Sequence, residues 1–188
     1  MNRRPTREEL ANSYSKTIAD VIVPGLDVLF CGINPGRYSG ATGFHFAGPG
    51  NRFWPALFAS GFTDRLLLPS EVGLLPQYGL GITNLVARTT ARADELDDDE
   101  LREGLKALKR KVKRYKPQWL AVVGLGAYRV GFDKPKATVG PQAELLVGAR
   151  VWVLPNTSGL NASCQPAEFA KQFAELRRAV RRPSARNR

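Results

Sequence analysis

Two asparagines and one aspartate stand in this sequence where their side chains could carry out chemistry. Asn34 lies in "GINPG", directly after one apolar run, and Asn156 lies in "LPNTSGL" after another. Asp94 lies in "TTARAD" after a third. An amide can orient a water molecule, and a carboxylate can in addition accept its proton. These side chains are therefore the first candidates for a functional site.

Several common catalytic motifs are missing from the sequence. Gly124, Gly126 and Arg129 form G-x-G-x-x-R, which lacks the third glycine of a dinucleotide-binding fingerprint. There is no GK[ST] phosphate loop and no G-x-S-x-G nucleophile motif. His45 is the only histidine, so a serine or cysteine nucleophile has no usual base. We interpret His45 as a solvated loop residue or a phosphate contact, and not as a catalyst.

The cysteine content argues against a metal centre. Cys31 and Cys164 are the only cysteines, they lie far apart, and neither has a CxxC partner or a histidine cluster nearby. We expect no metal, no cofactor and two reduced thiols. Because no apolar run is long enough to cross a bilayer, we also expect a cytoplasmic protein without a membrane partner.

The net charge of +11 is concentrated at the two ends of the chain. Residues 177–188 contain six arginines and no acid, and residues 1–7 contain three arginines, which leaves +2 for residues 8–176. Such arms can attract a polyanion or simply solubilise the protein, and charge alone does not separate the two. We expect a basic extension over residues 1–17, a single domain over residues 18–182 and a basic tail over residues 183–188.

Apolar runs alternate with helical patterns along the chain. The runs predict buried strands at residues 28–33, 81–86, 119–124 and 151–154. The helical patterns predict a first helix over residues 7–20, with Thr6 and Glu9 in capping-box spacing, and a second helix that is capped by Asn51 and ends at Gly61. They also predict a helix that begins at the acids 97–100 and ends before Pro117, and a last helix from Pro166. This alternation predicts an α/β domain with a mostly parallel sheet. Its ligand site should lie beyond the carboxyl ends of the strands.

Three segments together carry a resemblance to a known family. They are "GINPG" at 32–36, "GFHFAGPGNRFW" at 43–54 and "LPNTSGL" at 154–160. In this order they resemble the mismatch-specific uracil-DNA glycosylases, the branch of the uracil-DNA glycosylase superfamily that includes thymine-DNA glycosylase. The resemblance implies a three-layer α/β/α fold with a mostly parallel sheet of four or five strands. It also implies hydrolysis of the bond between a base and deoxyribose, which leaves an abasic site.

The resemblance implies roles for residues that would surround the base. Asn34 resembles the residue that positions the attacking water, and Phe46 resembles the aromatic that stacks on the flipped base. Gly36 and Ser39 fall in the base-binding segment, and we assign Asn156 to the same group. The helical spacing of the aromatics after residue 52 favours a core position over contact with the base.

The segment after the fourth strand resembles the family's wedge, which fills the gap left by a flipped nucleotide. Gly159 would display Leu160 as that wedge. Thr157 replaces the usual proline, and Asn161 and Ala162 stand where some relatives carry a Ser-Arg pair. Preference for the base opposite the lesion is therefore less secure than base removal itself.

Asp94 departs from the family pattern, in which an amide is more common at this position. We hypothesise that Asn34 and Asp94 act on one water from two different loops, because an amide alone accepts no proton. The alternative is that Asp94 is a helix cap or a solvated acid. Both readings stay open on the sequence.

The pattern around Gly36 bears on the substrate. Strict uracil enzymes place a bulky tyrosine there to exclude the methyl group of thymine, so the resemblance implies acceptance of uracil, thymine or etheno adducts opposite guanine. The expected partner is double-stranded DNA with a G:U or related mismatch, bound by a monomer associated with the nucleoid.

Two alternative functions remain open. One is a non-catalytic module that binds lesions, supported by the basic run at residues 109–116. The other is a small-molecule nucleotide hydrolase.

Overall fold

The computed structural model describes residues 4–159 and 165–181, which form one central sheet with helices around it. The strands are β1 (Val28–Gly32), β2 (Leu80–Asn84), β3 (Trp119–Val123), β4 (Gly140–Leu146) and β5 (Ala149–Leu154). The α-helices are α1 (Arg7–Ala11), α2 (Arg37–Thr42), α3 (Phe53–Ala59), α4 (Asp98–Tyr115), α5 (Leu125–Gly131) and α6 (Pro166–Arg181). The described residues also include two 3₁₀ segments, Pro69–Tyr78 and Ala93–Glu95.

The sheet has the strand order β2-β1-β3-β5-β4. β1 pairs in parallel with β2 and β3, and β3 pairs in parallel with β5. Only β4, at the edge, runs antiparallel to its neighbour β5. Every residue of β1 and β3 is buried, as expected for short apolar strands covered on both faces. The prediction of four strands, at β1, β2, β3 and β5, in an α/β domain is confirmed.

Two hydrophobic cores lie on opposite faces of the sheet. On one face Phe30 packs against Phe53 of α3 and Phe173 of α6. On the other face Leu29 shares a core with Leu108 of α4. The predicted three-layer α/β/α arrangement is therefore confirmed. None of the helices in the described ranges combines the length and apolar character needed to span a membrane.

The two longest helices begin where the sequence predicts, and α4 also ends where predicted. Asp97 caps α4 and forms a capping box with Glu100, and the chain leaves the helix at Lys116 with a left-handed backbone. α6 starts at Pro166, as expected for proline in the first turn. The N-cap position of α3 is Arg52, one residue later than the predicted Asn51, whose side chain nevertheless accepts a hydrogen bond from the Phe53 nitrogen (3.0 Å).

The prediction of a first helix over residues 7–20 is wrong in its length. The capping box between Thr6 and Glu9 is present, but α1 ends at Ala11. Residues 12–15 form a turn, the Ser15 nitrogen donates to the Thr89 carbonyl (3.0 Å), and Val21 pairs with β2. Backbone partners far along the chain therefore replace the intrahelical hydrogen bonds that local propensity favours.

The edge strand β4 was not predicted. Its burial does not alternate, it contains Pro141, and its register with β5 shifts between Pro141 and Leu145. Proline is tolerated only at sheet edges or bulges, so the sequence of this strand resembles a loop.

Gly104 is a glycine that the packing of α4 on the loop after β2 requires. A Cβ atom there would overlap the carbonyl oxygen of Leu85, whereas a Cβ at Gly126 in α5 would meet nothing within 4 Å. We expect Gly104→Ala to lower the free energy of unfolding by about 1–3 kcal/mol in urea titrations. Gly126→Ala is the matched control and should leave stability unchanged or slightly raised. Equal stabilities for both variants would contradict the close approach of α4 to the loop after β2.

Candidate functional site

A cavity of about 1410 Å³ opens at the carboxyl edge of the parallel strands. The loops that follow β1, β2, β3 and β5 all contribute to its wall, as the general rule for open α/β sheets predicts. Residues from these loops and their neighbours include Asn34, Gly36, Ser39, His45, Phe46, Asn84, Asp94, Gly126, Asn156 and Gly159. The cavity is larger than the 300–1000 Å³ typical of small-ligand sites, which leaves room for a nucleotide and part of its backbone.

The Asn34 side chain has a fixed orientation. Its amide nitrogen donates to the Arg88 carbonyl (3.0 Å) and to the Thr90 hydroxyl oxygen (2.7 Å). Both hydrogens of the amide nitrogen are thereby used, and the carbonyl acceptor on Arg88 excludes a flipped amide. Since Asn34 lines the cavity, Oδ1 is the group that it can offer there, as a hydrogen-bond acceptor.

The loop after β2 is tied to the start of α4. The Arg88 guanidinium binds both carboxylate oxygens of Glu100 (2.5 and 2.7 Å) and donates to the Glu95 carbonyl (3.0 Å). The hydrogen bond from Arg88 lowers the pKa of Glu100 to about 2. Thr90, which accepts from Asn34, donates in turn to the Arg92 carbonyl (2.7 Å). The Asn34 amide and the segment that carries Asp94 therefore belong to one hydrogen-bonded unit.

Phe46 forms a flat wall of the cavity. Its ring stacks on Phe53 with a centroid separation of 4.1 Å and an interplanar angle of 13°. The Phe46 backbone has a φ of 52°, a left-handed conformation that non-glycine residues rarely adopt. Phe46 is half-buried, whereas Phe53 and Trp54 are buried in the core as predicted, and Phe58 is exposed. The core thus supports a rigid aromatic surface beside the cavity.

Gly32 ends β1 at the floor of the site. A Cβ atom there would lie 2.5 Å from Asn84 Oδ1 and 3.2 Å from the Phe46 ring. An aromatic edge and an amide therefore converge over a residue that has no side chain. Asn84 was not predicted as a site residue, because the strand predicted at residues 81–86 placed it in the strand interior. β2 in fact ends at Asn84, at the carboxyl edge.

The interpretation of His45 as a solvated loop residue or phosphate contact is wrong. Its side chain is 2% exposed. Its Nε2 lies 2.9 Å from the Ala19 carbonyl oxygen, and its Nδ1 lies 3.4 Å from the Asn84 amide nitrogen. Burial lowers the pKa of His45 below its ordinary value, so the ring is neutral near pH 7. Its backbone partner is 26 residues away along the chain, and no local pattern reveals it.

Gly36 and Ser39 lie where the predicted base-binding segment meets the cavity. Gly36 precedes α2 with an ordinary extended backbone (φ −77°), and a Cβ there would meet nothing within 4 Å. Ser39 is buried, and its hydroxyl oxygen accepts a hydrogen bond from the Ala47 nitrogen (3.2 Å). Gly36 therefore leaves space in the cavity, while Ser39 ties α2 to the residue after Phe46.

Asp94 lies in the 3₁₀ segment Ala93–Glu95, on the rim of the same cavity as Asn34. Its carboxylate receives two hydrogen bonds from the Arg92 guanidinium (2.7 and 3.1 Å), and its side chain is 62% exposed. Asp94 is not the cap of α4, since Asp97 has that role. The role of a helix cap is therefore excluded for Asp94. A catalytic base and a solvated acid remain as its possible roles.

The opposite rim is formed by the segment after β5, which is packed on the loop before α3. The Arg52 nitrogen donates to the Thr157 carbonyl (2.9 Å), and its guanidinium donates to the Ser158 carbonyl (2.6 Å). A Cβ at Gly159 would lie 3.0 Å from the Pro49 carbonyl oxygen. Asn156 accepts from the Ser158 nitrogen (3.0 Å) and lines the cavity. The predicted wedge residue Leu160 lies outside the described residues.

Three further groups can be placed relative to the site. Leu10 of the predicted N-terminal extension and Ile18, the first residue of the predicted domain, both line the cavity, so the extension contributes to the site. The basic run on α4 ends beside Gly25, which precedes β1, while Lys111 within the run pairs with Asp20 (2.6 Å) near the end of β2. Burial raises the pKa of Cys31 to about 12, which leaves a protonated thiol. Within residues 4–159 and 165–181, no group of His, Cys, Asp and Glu side chains could hold a metal ion.

The fold and the cavity together define a class of protein. The site at the carboxyl edge of the parallel sheet combines a flat aromatic wall, two amides and an exposed carboxylate. Such a site is suited to the hydrolysis of a bond next to a planar polar ring. Comparison with known families gives the particular assignment. The chain belongs to the uracil DNA glycosylase superfamily, whose family model matches residues 19–178. It is therefore a DNA glycosylase, a hydrolase of base excision repair that acts on damaged bases in DNA.

The buried neutral His45 predicts a pH dependence of stability. The folded protein holds its pKa below about 6.5, whereas the unfolded chain binds a proton near that pH, so protonation favours unfolding as the pH falls. We expect the free energy of unfolding to fall by about 1 kcal/mol between about pH 7.5 and about pH 5.5 in urea titrations. Because the chain has no other histidine, His45→Gln should abolish this slope. A slope of equal size in that variant would contradict the assignment to His45.

Proposed function

We propose that this DNA glycosylase excises uracil from mismatched double-stranded DNA after flipping the nucleotide into the cavity. The observation that carries the proposal is the fixed Asn34 amide, whose acceptor oxygen lies beside an aromatic wall in one cleft. The resemblance of the loops at 32–36, 43–54 and 154–160 to the mismatch-specific branch supports this choice of substrate.

A flipped base needs a surface that replaces the stacking lost from the duplex. Phe46 supplies a ring of suitable size that is held flat by Phe53. Asn84 supplies an amide that can pair with the polar edge of the base. Gly36 contributes space that a methyl group at position 5 of the base could occupy, which supports acceptance of thymine and of etheno adducts. The discrimination against one methyl group is only about 1–3 kcal/mol in a pocket.

Breaking the glycosidic bond places positive charge on the sugar and negative charge on the departing base. In the proposed reaction, Asn34 Oδ1 accepts a hydrogen bond from a water and directs its oxygen toward C1′. The new C–O bond forms as the C1′–N bond breaks, and the electron pair leaves with the base. The negative end of the Asn34 amide dipole also stabilises the sugar cation.

The proton of the attacking water requires an acceptor, and Asp94 is the proposed one. The carboxylate has lone pairs beyond the two that Arg92 occupies, and it shares the cavity with Asn34. Its ion pair is exposed to solvent, which is equally compatible with a solvated acid. The proposed enzyme acts as a monomer on G:U or related mismatches and is associated with the nucleoid in the cytoplasm. In the proposed complex, Gly159 presents Leu160 to the gap that the flipped nucleotide leaves in the duplex.

The direct test is alkaline cleavage of a labelled duplex with one G:U pair after incubation with the protein. We expect cleavage at the uracil position only, with a G:T duplex cleaved more slowly. Free deoxyuridine should not be hydrolysed, and its turnover would favour a small-molecule nucleotide hydrolase. Tight binding without any strand cleavage would overturn the proposal in favour of a non-catalytic lesion-binding module.

Thr90 provides a sharp test of the role of Asn34. Thr90→Val removes the acceptor that holds the amide nitrogen, so the single-turnover rate of uracil release should fall about 10- to 100-fold. DNA affinity should not change, because Thr90 itself is buried. Thr89→Val is the matched control, since within the described residues the buried Thr89 hydroxyl has no hydrogen-bond partner. Equal rates for the two variants would remove the amide orientation from the mechanism.

Asp94 is tested by removing its carboxylate. Asp94→Ala should lower the single-turnover rate at least about tenfold if the carboxylate accepts the proton. Asp99→Ala is the control, because it removes an equally charged but 90% exposed carboxylate of α4 that pairs with Arg102. An Asp94→Ala enzyme as fast as the Asp99→Ala enzyme would identify Asp94 as a solvated acid and leave Asn34 as the principal catalytic residue.

A further inference from the structure

Residues 19–21 form a rigid backbone segment at the edge of β2. Val21 exchanges two backbone hydrogen bonds with Ile82 (2.8 and 2.9 Å). The Asp20 carboxylate pairs with Lys111 of α4 (2.6 Å) and accepts from the Thr83 hydroxyl (2.7 Å). These contacts hold residue 20 from two sides. The adjacent Ala19 carbonyl is therefore an acceptor with a fixed position.

That carbonyl determines which His45 nitrogen carries the proton. A carbonyl oxygen only accepts, so Nε2 at 2.9 Å from Ala19 must be the protonated nitrogen. In the neutral ring, Nδ1 is then an acceptor. Asp20 and Lys111 are the charged groups whose fields reach the ring, and they act in opposite directions on its pKa. Burial has the largest effect and favours the neutral ring.

The tautomer of His45 in turn orients Asn84. Because Nδ1 accepts, the Asn84 group 3.4 Å away must be its amide nitrogen. Asn84 Oδ1 then lies over Gly32, beside the Phe46 ring, and no residue in the described ranges hydrogen-bonds to it. One hydrogen of the amide nitrogen also remains for a ligand. Asn84 consequently offers an acceptor and a donor in a defined order.

We propose that His45 is a specificity-determining positioning residue, which selects the polar edge of the base by fixing the Asn84 amide. The proposal rests on the proposed function and deepens it. Uracil and thymine present an N–H donor at N3 next to carbonyl acceptors, whereas cytosine presents an acceptor at N3 next to an amino donor. An amide held with Oδ1 toward the base edge can complement the first pattern. It must flip to complement the second.

Fixing the amide excludes cytosine by leaving polar groups unpaired. Sites built around hydrogen bonds can reject a mismatched pattern strongly, because both partners lose hydration without gaining a bond. A free Asn84 would rotate and accept either pattern. Exclusion of cytosine therefore requires a group that does not rotate, and His45 is held by the carbonyl of a backbone segment paired with the sheet.

The first test needs no variant. His45 is the only histidine, so a long-range proton–nitrogen spectrum of ring-labelled protein reports its tautomer without assignment. We expect a neutral ring with the proton on Nε2 near neutral pH. A ring protonated on Nδ1, or doubly protonated, would overturn the proposal.

The second test measures selectivity directly. Duplexes would carry a uracil or cytosine nucleotide with a 2′-fluoroarabino sugar, which resists hydrolysis, opposite an abasic analogue so that neither base is paired. The wild-type protein should bind the uracil duplex at least about tenfold more tightly, and His45→Phe should reduce this ratio to about threefold or less. Trp54→Phe is the matched control. It removes the hydrogen bond to the His45 backbone carbonyl (3.2 Å) but leaves the ring contacts intact, so the ratio should persist.

The outcomes separate this inference from the proposed function. A wild-type enzyme that releases uracil, with an unchanged binding ratio in His45→Phe, overturns only the role of His45. A wild-type enzyme that releases no uracil overturns the proposed function. A general packing defect would weaken the binding of both duplexes equally in His45→Phe and in Trp54→Phe, and that result would also overturn the positioning role.

Discussion

The two hydrogen bonds from the Asn34 amide nitrogen are the interaction on which the rest of the site depends. They join the loop after β1 to the loop after β2, at the Arg88 carbonyl and the Thr90 hydroxyl. The parallel pairing of β1 and β2 brings these loops to one edge of the sheet. A single side chain thereby closes the rim, and its remaining oxygen acquires a defined direction. The loop that carries Asp94 is positioned through the same threonine.

The second rim follows a different physical rule, which is close backbone approach. Gly159 lies against the carbonyls of Pro49 and Gly50, where an added Cβ atom would make tight contacts of 3.0 and 3.1 Å with the two oxygens. Arg52 adds two hydrogen bonds to the carbonyls of the same segment. Because the loop before α3 also follows Phe46, the aromatic wall and the opposite rim share one support. Movement of either would disturb the other.

Much of the fold could be predicted because it depends on local patterns, such as the apolar runs of β1 and β3 and the capping box of α4. Only part of the candidate site could be predicted from the sequence. Asn84 was missed because its role depends on a strand end placed two residues too late, and strand ends are poorly defined by hydropathy. His45 was misjudged because its partner Ala19 is brought close only by the pairing of Val21 with β2.

Both polar side chains whose orientation matters here are fixed by main-chain carbonyls. Arg88 supplies the carbonyl for Asn34, and Ala19 supplies the one for His45. A carbonyl cannot change from acceptor to donor, so each carbonyl fixes which polar atom of its side-chain partner faces it. Hydroxyl or carboxyl partners would rotate or titrate, and the pattern offered to the base would change with them. A site that must distinguish an N–H group from a lone pair on a flat ring is therefore most selective when its side chains are held by carbonyl groups of hydrogen-bonded backbone.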